Sequence, residues 1–463
     1  MTSQTISEDC CLGCEEFANA EKDPAMTQDA EVSRHTTPHP GTPQLPAGWA
    51  FWATCAAFST YFCAYAFRKP FTAAEFKGTE FFGFEFKFLV VTTQVIGYSI
   101  SKFIGIGVIA GMPPAGRARA LLLLIGCSEL ALVLFGLLPR PWNILAMFLN
   151  GLPLGMVFGL VMGFLEGRRV SEALLAGLCA SFIMADGFAK STGRWLLQQG
   201  ISEDWMPAVA GGLFLLPLTL AVRVLARTPA PSQHDIAARA ERPRMTREDR
   251  WSMVRRFGPG LIAIVLMYLL VTIIRSVRAD FATELWKGLG QGAAPAQFTT
   301  SEFWVALGVM VANGSLVFVR NNVLAFRISL ATCLVGFGLI FAALLAGPER
   351  ISPFSFMVLI GLGLYLPYVA VHASVFERLL AMTRERGNVG FLMYVADSSG
   401  YLGYVGCMLL NGTLRKNSNT LEFFTKLCWA ASLLSVVCVL LAGLWFSGNR
   451  LKPATTTNAT GAS

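Results

Sequence analysis

Residues 227–258 read RTPAPSQHDIAARAERPRMTREDRWSMVRRFG. Two prolines open the stretch and arginines crowd it (Arg239, Arg242, Arg244, Arg247, Arg250, Arg255, Arg256), so it suits neither a bilayer nor a packed core. It is the one long hydrophilic connection in an otherwise apolar chain. On either side lie apolar stretches of roughly 20 residues, the length that crosses a bilayer core of ~30 Å. They fall at 49–68, 87–110, 118–138, 143–165, 172–197 and 206–226 before the connection, and at 259–279, 302–320, 325–346, 354–377, 387–411 and 421–446 after it. Six spans, a basic linker and six spans predict an all-α polytopic membrane protein with 12 transmembrane helices in two six-helix bundles. The expected domains are a disordered tail (1–47), an N-terminal bundle (48–226), the linker (227–258), a C-terminal bundle (259–446) and a second tail (447–463).

Composition excludes the alternatives. A chain of 463 residues that is 54% hydrophobic and 14% charged, with a mean hydropathy of +0.54, is too apolar for a soluble enzyme of this size. The 35 phenylalanines, 16 methionines and 44 glycines suit helices packing closely in lipid, and the alternating ten-residue strands of an outer-membrane barrel are absent. The net charge of +8 comes without a lysine-rich run or an aromatic-interleaved basic patch, so no nucleic-acid partner is expected.

The charge is a topology signal instead. With the amino terminus inside, the inner loops hold Arg117, Arg119, Arg168, Arg169, the linker arginines, Arg320, Arg327, Arg378, Arg384 and Arg386. The outer loops hold Lys77, Lys87, Arg140, Lys287, Arg350, Arg415 and Lys416, which are fewer. The positive-inside rule then places both termini in the cytoplasm, with the chain multi-pass in the inner (plasma) membrane. No cleavable signal peptide precedes the first span.

Cys55, Cys127, Cys179, Cys333, Cys407 and Cys438 sit singly in apolar runs and read as small buried hydrophobes, not as a disulfide framework. In the tail, Cys10, Cys11, Cys14, His35 and His39 superficially echo a zinc pair. The gap between them is long and the segment has too few apolar residues for a mini-core, so reduced thiols and no metal are expected.

The two-bundle pattern resembles the major facilitator superfamily, whose halves are parallel repeats around a midplane site. Local echoes agree with a duplication. Arg68-Lys-Pro-Phe71-Thr-Ala-Ala-Glu75 follows the first span and Arg278-Ala-Asp-Phe281-Ala-Thr-Glu284 the seventh, while Ala185-Asp186 in the fifth is matched by Ala396-Asp397 in the eleventh. Charges inside spans cost about 2.5–3.5 kcal/mol at a helix centre and are functional candidates by default. They are Arg68, Lys102, Asp186, Lys190, Arg275, His372 and Asp397.

In the resembled fold the first and seventh helices line the cavity, so Arg68 and Arg275 would offer two planar forks to the oxygens of one anion. The repeat echo would instead set Arg278 opposite Arg68; Arg275 is preferred because it lies deeper in its apolar run. Asp186, Lys190 and Arg194 share one face of the fifth helix at i, i+4 and i+8. The first two read as an internal ion pair, with substrate contact by Lys190 as the alternative. His372 reads as a core histidine or a ligand contact, and Asp186 and Asp397 are the candidate proton-coupling groups.

Several motifs resemble the organophosphate:phosphate antiporters, the branch that includes glycerol-3-phosphate and hexose-phosphate transporters. Tyr65-Ala-Phe-Arg68-Lys69-Pro-Phe71 is similar to that family's aromatic-x-x-Arg-Lys-x-Phe, and Gly97-Tyr98-Ser-Ile-Ser101-Lys102-Phe103 to its Tyr-Gly-x-Ser-Lys-Phe. Tyr268 through Arg275 has the spacing of its second arginine, and Ile360-Gly361-x-x-x-Tyr365-x-Pro367 with His372, Ala373 and Glu377 is similar to its tenth helix. The resemblance implies that Arg68 and Arg275 bind a phosphoryl group, that Lys102 and Tyr65 lie close by, and that the reaction is exchange of a phosphate ester for inorganic phosphate. The chain departs from the family at Ile183-Met184-Ala185-Asp186-Gly187, where a carboxylate stands beside the position of the family's histidine. It departs again at Gly111-Met-Pro-Pro-Ala-Gly, which lacks the superfamily's Asp-Arg, and at Lys190, an added cation. It reads as a divergent branch whose organic substrate is left open.

Three functions therefore compete. The first is a secondary transporter of a small phosphate-bearing anion, needing no cofactor and working as a monomer in the bilayer. The others are a proton-coupled carrier using Asp186 or Asp397, and a membrane sensor of phosphate esters. The sequence has no HExxH, GxSxG or Walker loop, so no enzyme is expected.

Overall fold

A computed structural model describes residues 49–81, 83–165, 171–228, 247–383, 389–414 and 419–447, which lie within the unit Pro46–Ser463. The tail cysteines and histidines, residues 229–246 of the linker, and Arg168, Arg169, Arg384, Arg386, Arg415 and Lys416 fall outside the described residues.

Each expected span falls on a helix. The first half contains α1 (Trp49–Ala64), α2 (Phe86–Gly111), α3 (Pro114–Leu137), α4 (Asn143–Leu165), α5 (Ser171–Gln198) and α6 (Met206–Ala226). The second contains α7 (Arg247–Asp280), α8 (Pro295–Gly314), α9 (Asn322–Arg350), α10 (Pro353–Ala370), α11 (Val389–Leu414) and α12 (Thr420–Ser447). Among the described residues, eight helices are long and apolar enough to cross a membrane by length and composition alone. The four that fall short are α1, α5, α8 and α11, and all but α1 carry a buried carboxylate, at Asp186, Glu302 and Asp397. α1 is short, at 16 residues, and the other three lose apolar character to those carboxylates.

Three boundaries differ from the sequence expectation. The helix of α7 begins at Arg247, so the end of the basic linker is helical; hydropathy registers only the apolar part that follows. α8 begins at Pro295 instead of 302, where the Gln297 side chain accepts the Ala294 N–H at 2.9 Å and caps the first turn. α10 continues through a π-helical turn, Val371–Val375, into a short helix, Phe376–Thr383. A small antiparallel hairpin, Glu80–Phe81 with Phe84–Glu85, and a short helix, Ala282–Gly288, were not anticipated. Of the cysteines expected to be buried, Cys127 is exposed and Cys55 and Cys407 are half-buried; Cys179, Cys333 and Cys438 are buried.

The break at the end of α1 positions the site. Pro70 has no N–H and its ring would clash with the Ala66 carbonyl in a continued α-helix, so the chain tightens into 3-10 turns at Tyr65–Phe67 and Pro70–Ala73. Backbone carbonyls released there need partners in a dry interior. Asn150 of α4 donates to the Phe67 carbonyl at 3.0 Å, and Gln94 of α2 donates to the Arg68 carbonyl at 3.1 Å and to Asn150 Oδ1 at 2.7 Å. That buried amide pair holds Arg68 and Lys69 in place.

Helix contact is close where glycine permits it. A Cβ on Gly151 would lie 2.2 Å from the Gln94 carbonyl oxygen, so α2 and α4 touch backbone to backbone. Between the halves, a Cβ on Gly187 of α5 would lie 2.4 Å from the Phe298 carbonyl oxygen of α8. We therefore expect Gly151→Leu to lower the thermal midpoint in detergent sharply, whereas Gly126→Leu, which meets nothing within 4 Å, leaves it nearly unchanged. Asn150→Leu should cost about 1–3 kcal/mol for each orphaned group, read by the same thermal unfolding.

Candidate functional site

Tyrosine is scarce in this chain, 9 residues against 35 phenylalanines, and most of it is gathered in one place. Tyr61, Tyr65, Tyr98, Tyr368 and Tyr401 line a narrow interior cavity together with Lys102, His372 and Asp397. The cavity has room for about one water molecule. Both flanking arginines are buried against its rings.

Arg68 packs its guanidinium on the Tyr98 ring, 3.8 Å from the centroid, and lies 5.9 Å from the centroids of Tyr65 and Tyr401. Arg275 packs 4.4 Å from the Tyr368 centroid and donates to the Tyr401 hydroxyl at 3.4 Å. Lys102 lies 5.0 Å from the Tyr401 centroid and 5.3 Å from that of Tyr98. Tyr401 therefore has all three cations around it. Cation–π contact offsets part of their desolvation but neutralises none of their charge. Among the described residues no carboxylate forms an ion pair with Arg68 or Arg275, and Arg275 Nε is buried without a hydrogen-bond partner.

The other interior cations are compensated. Lys102 pairs with Asp397, whose second oxygen accepts from the Tyr268 hydroxyl and lies 3.6 Å from His372 Nε2. His372 sits in the π-helical turn, with Nδ1 3.2 Å from the Tyr368 carbonyl oxygen. Lys69 pairs with Asp280, whose second oxygen accepts from the Tyr404 hydroxyl at 2.9 Å. Lys190 pairs with Asp186 on its own helix. Arg278 pairs with Glu302 at 2.6 Å and donates to the Met357 carbonyl at 3.1 Å, so its charge is neutralised and both terminal nitrogens are engaged within its own half, although its Nε, like that of Arg275, has no partner.

Two carboxylates and one tyrosine, Tyr368, went unnoticed in the sequence, and Tyr98 and Tyr401 were given no role there. Glu302 and Glu129 are further carboxylates inside helices, and Glu129 Oε2 is buried against Gly211 without a hydrogen bond. A scan for every charge within a helical stretch would have found both. The scarcity of tyrosine was the available signal for Tyr98, Tyr368 and Tyr401.

The two halves are bridged again at the end carrying the α1–α2 connection. Lys87 pairs with Glu284 at 2.6 Å, and Lys287 with Glu75. Glu75 also has Lys77 at 3.2 Å and Arg194 at 4.0 Å. Burial pushes the Glu75 carboxyl up, but the Lys287 and Lys77 ammonium groups outweigh it and hold the group below the usual carboxylate range. A depressed folded value stabilises the bridge above the unfolded value and loses it as pH falls through the folded one. Closure at this end should therefore persist through mildly acidic pH. A cysteine replacing buried Thr72 should resist a membrane-impermeant thiol reagent there and become reactive when Glu75→Gln is added.

No curated protein matches the chain in sequence. Solved structures match it in fold. A D-xylose–proton symporter gives a TM-score of 0.58 at 14% identity over 85% of this chain and 96% of that one. A bacterial homologue of the iron transporter ferroportin, in an outward-facing state, gives 0.55 at 16% identity over 86% and 100%. A nucleoside transporter gives 0.54 at 13% identity over 86% and 100%. The fold is that of the major facilitator superfamily, and the chain is a multi-pass membrane protein. A model of a family of unknown function, DUF5690, matches residues 70–449, and the chain belongs to that family.

Proposed function

We propose that this protein is a secondary transporter of a small organic dianion, a phosphate monoester exchanged for inorganic phosphate, working as a monomer by alternating access of its two halves. The observation that carries this reading is the charge of the cavity. Arg68, Arg275 and Lys102 bring three positive charges and Asp397 one negative, which leaves two guanidiniums uncompensated in the bilayer interior. Buried charges are retained where a partner completes them. A divalent anion brings the sum to zero, and a phosphoryl group offers the planar forks oxygens that they can grip bidentately.

The structural relatives are titled as carriers of a sugar, a nucleoside and iron. A cavity with this sign repels a metal cation, and a neutral solute would leave both arginines unpaired. The motif resemblance at Tyr65–Phe71 and Gly97–Phe103 supports the same anion class. Arginine-rich loops at the end of the bundle away from Glu75 support a plasma-membrane orientation with both termini cytoplasmic.

The test is uptake of labelled phosphate into proteoliposomes preloaded with phosphate. Wild type should exchange, and Arg68→Ala should weaken phosphate binding by about 10- to 150-fold, the equivalent of one lost charge-assisted contact of about 1.5–3 kcal/mol. Arg275→Lys should also fail, because a point charge lacks the fork. Normal transport by Arg275→Lys would sink the bidentate argument, and no exchange by a folded wild type would remove the phosphate reading.

A further inference from the structure

Seven of the ten residues lining the cavity are tyrosine or phenylalanine. Four of them serve the cations: Tyr65, Tyr98 and Tyr401 lie around Arg68, and Tyr368 lies against Arg275. Tyr61, Phe158 and Phe182 remain. None of the three belongs to the ring contacts of Arg68, Lys102 or Arg275, yet all three line the same cavity. Charge compensation therefore does not account for them.

These rings meet one another and reach across the halves. Tyr61 of α1 packs on Phe158 of α4 with centroids 5.2 Å apart, and Phe182 of α5 meets Tyr368 of α10 edge to face at 5.8 Å. Phe182 also lies 6.3 Å from Tyr365. Tyr61 stands about two helical turns before Arg68, roughly 10 Å along the axis. The cavity thus has a cationic part at the arginines and an aromatic part beside it, into which a substituent carried on a phosphoryl oxygen would extend.

The nature of that substituent follows from what the walls can offer. A polyol carries hydroxyl groups that lose water on entering the bilayer interior and need partners there. Lys102 and Asp397 bond each other, His372 Nδ1 lies 3.2 Å from the Tyr368 carbonyl oxygen, and the Tyr401 hydroxyl accepts from Arg275. Among the described residues the lining holds no carboxamide and no serine or threonine hydroxyl. An aromatic ring needs none of these. Inserted between Phe182 and Tyr368, it would replace their one contact across the halves with two of the same kind.

We infer that the substrate is an aryl phosphate monoester, whose phosphoryl group meets Arg68 and Arg275 and whose ring lies among Tyr61, Phe158, Phe182 and Tyr368. This rests on the anion reading above and supplies the organic part that it leaves open. Glycerol and hexose phosphates, carried by the antiporters that the motifs resemble, would set their hydroxyl groups against ring faces.

The test is competition for labelled inorganic phosphate bound to purified full-length protein, with phenyl phosphate, cyclohexyl phosphate and glycerol 3-phosphate as competitors. Phenyl phosphate should displace the label at about one-tenth of the concentration that glycerol 3-phosphate needs, the scale of one or two ring contacts. Cyclohexyl phosphate, apolar but without a π face, should fall between them. Phe182→Leu should bring phenyl and cyclohexyl phosphate close to equality, and Phe182→Tyr should keep them apart; both are ratios on one sample, so partial loss of folded protein cancels. Glycerol 3-phosphate competing as well as phenyl phosphate, cyclohexyl phosphate equalling it in wild type, or an unchanged ratio in Phe182→Leu overturns the aromatic assignment while the anion site stands. No phosphate binding by folded wild type removes the anion site itself, and the aryl ester with it.

Discussion

Two guanidinium groups buried without carboxylates set the terms for the rest of this molecule. A chain in lipid cannot leave Arg68 and Arg275 loose among apolar side chains, because the cost of an isolated charge exceeds what packing returns. The fold surrounds them with tyrosines, whose ring faces tolerate a cation and whose hydroxyls remain available for hydrogen bonding. It also pairs the neighbouring interior cations, so that the residual charge is concentrated at one level of the bundle.

Holding Arg68 there requires a broken helix, and the break has its own requirements. Pro70 ends α1, which frees backbone carbonyls in the dry interior. Asn150 and Gln94 take those carbonyls, and Gly151 lets their two helices come close enough to do so. Residues distant from Arg68 in the sequence thus decide where its guanidinium sits. The same economy is visible between the halves, where the lysine–aspartate–tyrosine arrangement of Lys102, Asp397 and Tyr268 recurs at Lys69, Asp280 and Tyr404.

Much of the architecture was legible in the chain. Apolar runs of bilayer length report helices, since every backbone polar group in lipid must bond within its own segment. Helix ends were less legible: Pro295 and Arg247 start helices in polar sequence, where capping and helix propensity act and hydropathy is silent. Among candidate residues, the i, i+4 spacing of Asp186 and Lys190 anticipated their ion pair because both partners ride on one helix.

Partners separated by long stretches of chain were not legible. Nothing in the spacing joins Lys102 to Asp397, Lys69 to Asp280 or Arg278 to Glu302, and only its depth in the apolar run favoured Arg275 over Arg278 for the cavity. The sequence by itself determined the membrane class, the twelve helical stretches and an excess of interior positive charge, all of which follow from local composition. Only the tertiary structure decided which cations are neutralised and which are left open, because charge compensation depends on distances of a few ångströms between helices that the sequence does not order in space.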